Sequence, residues 1–426
     1  MRWRERRTLR AALTPSSVAP GAGTRFCAAA GIAAVCAGAL LAAGCSAPPR
    51  QRTVRVHTAA GLERAVAAAN HWGGHVLIHL APGTYRLTET LVVTAPNVTL
   101  EGQPGARRRV IAQGDGMNPA ARIGNLIRVS GSHFTLSGMT LRRSRWHLIQ
   151  IAGEDGAEAP VIRDCVLENA YEQLIKVSNS AAHPGITAND GIVEHCLFQY
   201  TAGIGPEYYI GGIDAHGAKH WIVRDNVFRN ISSPSRAVAE FAVHFWDGSA
   251  DDLVERNLIV NCDRGIGFGL DGKANHGGVI RNNMIYHGPG GGPFADTGIA
   301  LTDSPGTQVY NNTILLQTDY PRAIEYRFPV TRGVFIANNL TNRAIASRNG
   351  GRATVTHNVT DATAQWFVDA AAGDLRLASA IPQVVAAGVP IAALRDDFSG
   401  NARPRGLNPD IGADQWSAHR AAPPAP

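Results

Sequence analysis

Lysine is nearly missing from this chain. Of its 40 basic residues only Lys176, Lys219 and Lys273 are lysines, so a lysine inside a strand-like segment stands out. Charged residues make up 17% of 426, too few for a solvated, disordered polyelectrolyte. Cysteine is scarce as well. Three of six lie before residue 46, and Cys165, Cys196 and Cys262 fit neither a disulfide framework nor a zinc motif. Only one long apolar run exists, Phe26 to Ala43; nothing else approaches the roughly 20 residues that span a bilayer. The formal charge of +6 is also mostly local. Residues 1–44 hold Arg2, Arg4, Arg6, Arg7, Arg10 and Arg25 against Glu5, and without them the balance is close to neutral. Charge therefore gives no reason to expect a nucleic-acid partner.

What is present at the N-terminus reads as an export signal, residues 1–45. A basic stretch leads into the apolar run and ends in Leu41-Ala42-Ala43-Gly44-Cys45. Small residues before a cysteine resemble a bacterial lipoprotein cleavage box, with Cys45 as the lipidated residue. Export follows, with the mature protein held at a membrane surface, facing the periplasm or the cell exterior, or else secreted. Residues 46–56 read as a linker.

Glycine (46 residues) and asparagine punctuate many short apolar segments. Residues 58–72 form one amphipathic helix with Leu62, Val66 and Ala69 on a shared face. A unit then recurs: VIRDCVLEN (161–169), IVEHCLFQY (192–200), IVRDNVFRN (222–230), LVERNLIVN (253–261), VIRNNMIYH (279–287), VYNNTILL (309–316) and VFIANNL (334–340). Its key positions are Cys165, Cys196, Asn226, Asn257, Asn283, Asn312 and Asn339. Turns stacked about 4.8 Å apart would let these amides bond along an axis as a ladder. Cys165 and Cys196 then neighbour each other, either as a disulfide or as stacked core thiols.

The repeat resembles the right-handed parallel β-helix superfamily of pectate-lyase-like proteins, over roughly residues 74–378. The tail, Asp397-Phe398-Ser399-Gly400, Arg403-Pro404 and Pro409-Asp410-Ile411-Gly412-Ala413-Asp414, resembles the terminal segment of many such bacterial proteins, with Gln415 where an acid is common. The expectation is an all-β chain. A right-handed parallel β-helix over 57–378 would carry an N-terminal capping helix, and 379–426 would form an irregular C-terminal capping segment and tail, in a monomer.

On a strand, the residue after an inward one points outward. Aligning Ile149, Ile175, Ile213, Val243, Ile266, Ile299, Ile324 and Ile345 as inward gives an outward column of Gln150, Lys176, Asp214, His244, Gly267, Ala300, Glu325 and Ala346. The next outward column is Ala152, Ser178, His216, Trp246, Gly269, Thr302, Arg327 and Arg348. A lone exposed Lys, Asp or His is ordinarily only solvated. Lys176, Asp214, His216, His244 and Trp246 on three consecutive rungs read as a site, with Glu172 and Glu240 entering the same coils. Gly267 and Gly269 would leave an open floor flanked by Asp263 and Arg264. Loops 178–190, 201–210 and 231–239 would wall the groove. Tyr208, Tyr209 and Trp246 would stack on sugar rings, unless Trp246 only caps the packing.

The segment Glu172-Gln173-Leu174-Ile175-Lys176-Val177-Ser178 resembles the strand bearing the basic lysine of chondroitinase B and related alginate lyases. That resemblance implies a lysine that abstracts the proton beside a uronate carboxylate, a calcium ion masking that carboxylate, and an arginine acid from an Arg-His-Gly strand. Here the strand reads Asp214-Ala215-His216-Gly217, without the arginine. The residues support several chemistries. In a β-elimination Lys176 is the base and His216 or His244 the acid. Arg264, or a calcium ion on Glu172, Asp214 and Glu240, masks the carboxylate. Asp214 and Glu240 as a hydrolase pair, a transition metal on His216 and His244, and a non-catalytic glycan-binding or structural lipoprotein are the alternatives.

Overall fold

The computed structural model describes residues 51–290 and 294–418; the expected export signal and Cys45 lie outside the described residues. Short apolar alternations bounded by turn residues produce three strands per coil. One coil is Val161–Arg163, Val166–Ala170 and Ile175–Ser178, and the next is Ile192–Glu194, Leu197–Gln199 and Ile213–His216. Each strand pairs in parallel with its counterpart one coil on, as in Ile162↔Val193, Leu167↔Phe198 and Lys176↔Asp214. Sheets of twelve, ten and ten strands result, here faces 1, 2 and 3 in the order the chain visits them. The chain winds as a right-handed parallel β-helix of about 11 turns.

The bend from face 1 to face 2 explains the recurring motif. Asp164, His195, Asp225, Arg256, Asn282, Asn311 and Asn338 all adopt positive φ, which turns the chain sharply and is tolerated best by Asn and Asp. The ladder residue follows. The Nδ2 of Asn257 donates to Asn283 Oδ1 at 3.0 Å and to Val223 O at 2.9 Å, and Asn283 repeats the pattern onto Asn312 at 3.0 Å. The ladder runs one rung beyond the sequence motif, from Asn339 to Asn358 at 2.9 Å. Buried amides are thus paired rather than stranded. At its other end Cys165 and Cys196 are stacked, buried free thiols and not a disulfide; each Sγ donates to a backbone carbonyl, at 3.2 and 3.3 Å.

The helix Ala59–His71 buries Leu62, Ala65, Val66 and Ala69, and Thr58 caps it by accepting from the Gly61 N–H at 3.1 Å. Two boundaries differ from the sequence reading. The supposed linker contains a strand, Arg52–Val56, which pairs along its length with Val76–Leu80, so the sheet starts before the helix. The last parallel strand is Ala353–Thr356, followed only by a single parallel bridge from Val359 to Leu340, and beyond it Phe367–Asp369 and Asp374–Leu377 pair antiparallel. That hairpin and the tail lie against face 2, where Phe367, Leu377, Val384 and Ile411 cluster with Val260, Met284, Leu315 and Leu340. The tail motif is structural. Buried Arg403 donates to the carbonyls of Gly412 and Ala413 at 2.8 Å each, and Gln415 accepts from Arg403 at 2.7 Å.

Candidate active site

Face 3 carries the expected columns in register. Gln150, Lys176, Asp214, His244 and Gly267 are successive partners, and His216 pairs with Trp246. Outward does not mean solvated here: Lys176 is 8% exposed, Asp214 3% and His244 1%. Lys176 Nζ donates to Asp214 Oδ2 and lies 2.7 Å from His216 Nε2. An ammonium has no acceptor, so His216 Nε2 accepts and its ring proton sits on Nδ1, 4.0 Å from Asp247 Oδ2. Trp246 Nε1 donates to Asp214 Oδ1 at 2.6 Å. Burial pushes the Asp214 carboxyl upward. The ammonium of Lys176, hydrogen-bonded to its Oδ2, outweighs burial and holds the group well below the usual carboxylate range.

His244 joins the second carboxylate. Its Nε2 faces the Gly269 carbonyl at 3.1 Å and so carries a proton, while Nδ1 lies 3.5 Å from Glu240 and 4.0 Å from Asp214 with no hydrogen-bond partner. The Trp246 ring stacks on His244 with centroids 5.6 Å apart and meets His216 at 4.1 Å. Trp246 is therefore a packing and hydrogen-bonding member of the cluster rather than a free sugar platform. Tyr208 (53% exposed) and Tyr209 (40%) remain available to a ligand. Burial, followed by the nearby charge of Asp214, raises the Tyr209 hydroxyl to about 12. Asn179, from the loop 178–190, reaches Asp247 at 3.3 Å on the far side of His216. The loop 231–239 is tied down by Asp263, which accepts from Ser232 at 2.7 Å, Ser233 at 2.9 Å and Ala239 at 3.0 Å.

Two expectations fail. The glycine floor is covered: a Cβ on Gly267 would sit 2.6 Å from the Phe241 ring, so that glycine admits Phe241 and not a ligand. Arg264 lies over the same ring at 5.2 Å and pairs with Asp296 at 3.6 Å. The proposed calcium set does not converge either. Glu172 faces His147 at 3.7 Å, Glu240 faces His244, and both oxygens of Asp214 are taken by Lys176 and Trp246. Among the described residues no three His, Cys, Asp or Glu side chains gather as a metal site.

His147 was missed. Its Nδ1 lies 3.3 Å from the Gln173 carbonyl, and burial, helped by the Lys176 charge, lowers it to about 4. Strand alternation assigns the position two before each inward residue, His147 among them, to the core, so alternation alone gives no signal for it. A cavity of about 490 Å³ lies elsewhere, over face 1, lined by His75, Asn97, His133 and Asp190, away from these residues.

Residues 125–315 match the family model described as right handed beta helix region. No curated protein matches the chain. Among solved structures, pectate lyase Pel9A is similar at 13% identity, with 86% of this chain and 97% of that one covered and a TM-score of 0.50. The alginate lyase of Paenibacillus sp. str. FPU-7 is similar at 14% identity over 72% and 99%, with a TM-score of 0.46. PfbA, a surface adhesin of Streptococcus pneumoniae, is similar at 14% over 66% and 80%, also at 0.46. At such identities the likeness is one of fold. Coil geometry, the matched region and the pectate lyase agree that this chain is a right-handed parallel β-helix.

Proposed function

We propose that this chain is an exported, lipid-anchored enzyme that cleaves an acidic polysaccharide by β-elimination. The observation that carries the reading is the buried set of Lys176, Asp214 and His216 on two adjacent rungs, whose rim opens to solvent at His216. Its hydrogen bonds supply both proton transfers. Lys176 passes a proton to His216 Nε2, 2.7 Å away, and becomes a neutral amine. The amine takes the proton beside the uronate carboxylate, and the bond from the neighbouring carbon to the glycosidic oxygen breaks as the double bond forms. Doubly protonated His216 gives its proton to the leaving oxygen, which returns lysine and histidine to their resting states. Asp214 stays ionised throughout and orients both partners. Since the acids around the cluster do not form one ligand set, no step is assigned to calcium.

A hydrolase pair of Asp214 and Glu240 fits less well, because Asp214 is held ionised and locked by Lys176 and Trp246. One observation favours a non-catalytic glycan-binding lipoprotein: Asp214 and His216 already satisfy Lys176, as in a purely structural ion pair. Incubation of purified protein with uronate polymers separates the readings. Elimination creates an unsaturated, ultraviolet-absorbing chain end, hydrolysis a saturated reducing end, and binding neither.

A further inference from the structure

Beyond the cluster, towards the C-terminus, face 3 changes character. Arg327 and Arg348 are direct partners in neighbouring strands, two guanidinium groups opposite each other in one outward column. Like charges so placed repel unless an anion lies between them. Arg322 begins the same strand, and the buried carboxylate of Glu325, 2% exposed, accepts from Tyr320 Oη at 2.5 Å and lies 3.3 Å from Arg348 and 3.8 Å from Arg327. The Nε–H groups of Arg322 and Arg327 are buried without an acceptor. Buried charged donors without a hydrogen bond are costly; Arg322 Nε has none, and Arg327 Nε has only the 3.8 Å ion pair with a Glu325 carboxylate it shares with Arg348. Arg327 and Arg348 still keep 27% and 41% of their side-chain surface open.

We propose that Arg322, Arg327 and Arg348 form an anion subsite that binds a carboxylate of an acidic polysaccharide at a distance from the reacting bond. The rung of Glu325 is three rungs beyond that of His244, roughly 14 Å at the usual strand spacing. A chain lying along the helix axis would reach it several sugar units from Lys176. The ligand's chemistry comes from the donors: planar guanidinium groups recognise carboxylates by paired, charge-assisted hydrogen bonds. This inference rests on the acidic polysaccharide of the proposed function, and it does not need the elimination step.

The test uses the mature chain and size-fractionated alginate and pectate oligosaccharides, with binding followed by calorimetry. Arg327→Ala/Arg348→Ala should bind long oligosaccharides roughly tenfold more weakly or worse and short ones as the parent does. Arg327→Lys/Arg348→Lys, which keeps charge but not the fork, guards against misfolding and should fall between. Equal binding of long chains by the parent and the double alanine variant overturns the subsite. So does an equal loss at every length, which would point back to the Lys176 cluster, or binding confined to sulfated glycans. If the double alanine variant shows the length-dependent loss but the parent never turns over any polymer, elimination fails and the subsite stands.

Discussion

Lys176 and Asp214 are partners on adjacent parallel strands, both outward in register, and both almost sealed from solvent while hydrogen-bonded to each other. Two charges buried together on a strand face are expensive to strip of water, and removing one strands the other. Lys176→Ala should lose about 3 kcal/mol of stability, at the low end for a buried pair because Trp246 and His216 still face Asp214. Lys176→Met/Asp214→Leu should recover most of that loss and remain inactive. Urea unfolding of the three proteins checks this; a Lys176→Ala variant as stable as the parent would show that the pair is not sealed.

The Trp246→Phe variant keeps a ring against His244 but deletes the 2.6 Å hydrogen bond to Asp214. Its expected effect is a fall in kcat of roughly tenfold, the equivalent of one charged hydrogen bond, with KM little changed. A rise in KM alone would instead make Trp246 a sugar platform.

His147 predicts an acid weakness. Burial first and the Lys176 charge second hold it at about 4, below its ordinary 6.5, so the unfolded chain takes up the proton first as pH falls. Its contribution is complete above pH 6.5 and is lost progressively down to about pH 4, in all about 3 kcal/mol. His147→Gln should flatten this part of the stability curve, as read from melting temperatures across that range. An unchanged slope would mean that another group controls it.

In the ladder, Asn257→Leu keeps the volume but leaves the Asn226 backbone N–H without its partner and strips Val223 O and the Asn226 side-chain amide of one hydrogen bond each. About 2–4 kcal/mol should be lost in urea unfolding, since buried groups left unpaired carry their full desolvation cost. Loss below 1 kcal/mol, the level of a surface substitution, would contradict the ladder's role in stability.

Much of this was readable before any coordinates. Asn226 to Asn339 disclose the coil because each must occupy the same bend, and bends repeat at regular spacing. The columns around Ile175 and Ile213 follow from strand alternation alone, which put Lys176, Asp214, His216, His244 and Trp246 together. What stayed hidden depends on contacts that alternation cannot express. Gly267 looked open because nothing in its own strand reveals that the Phe241 ring lies on it. The calcium set failed for a similar reason: Glu172 and Asp214 had already met a histidine, a lysine or an indole from neighbouring rungs, and Glu240 the His244 of its own coil. His147 was lost because the bend before the strand interrupts the alternation that located Lys176.

The most direct measurement is the ultraviolet absorbance of unsaturated ends, followed while the 46–426 protein and its Lys176→Ala variant act on alginate, pectate, glycosaminoglycans and bacterial uronic-acid polymers. The account predicts a rise on at least one polymer with the parent and none with the variant, while both remain folded by circular dichroism. A flat trace with the parent on every polymer, or an equal rise with the variant, would contradict it.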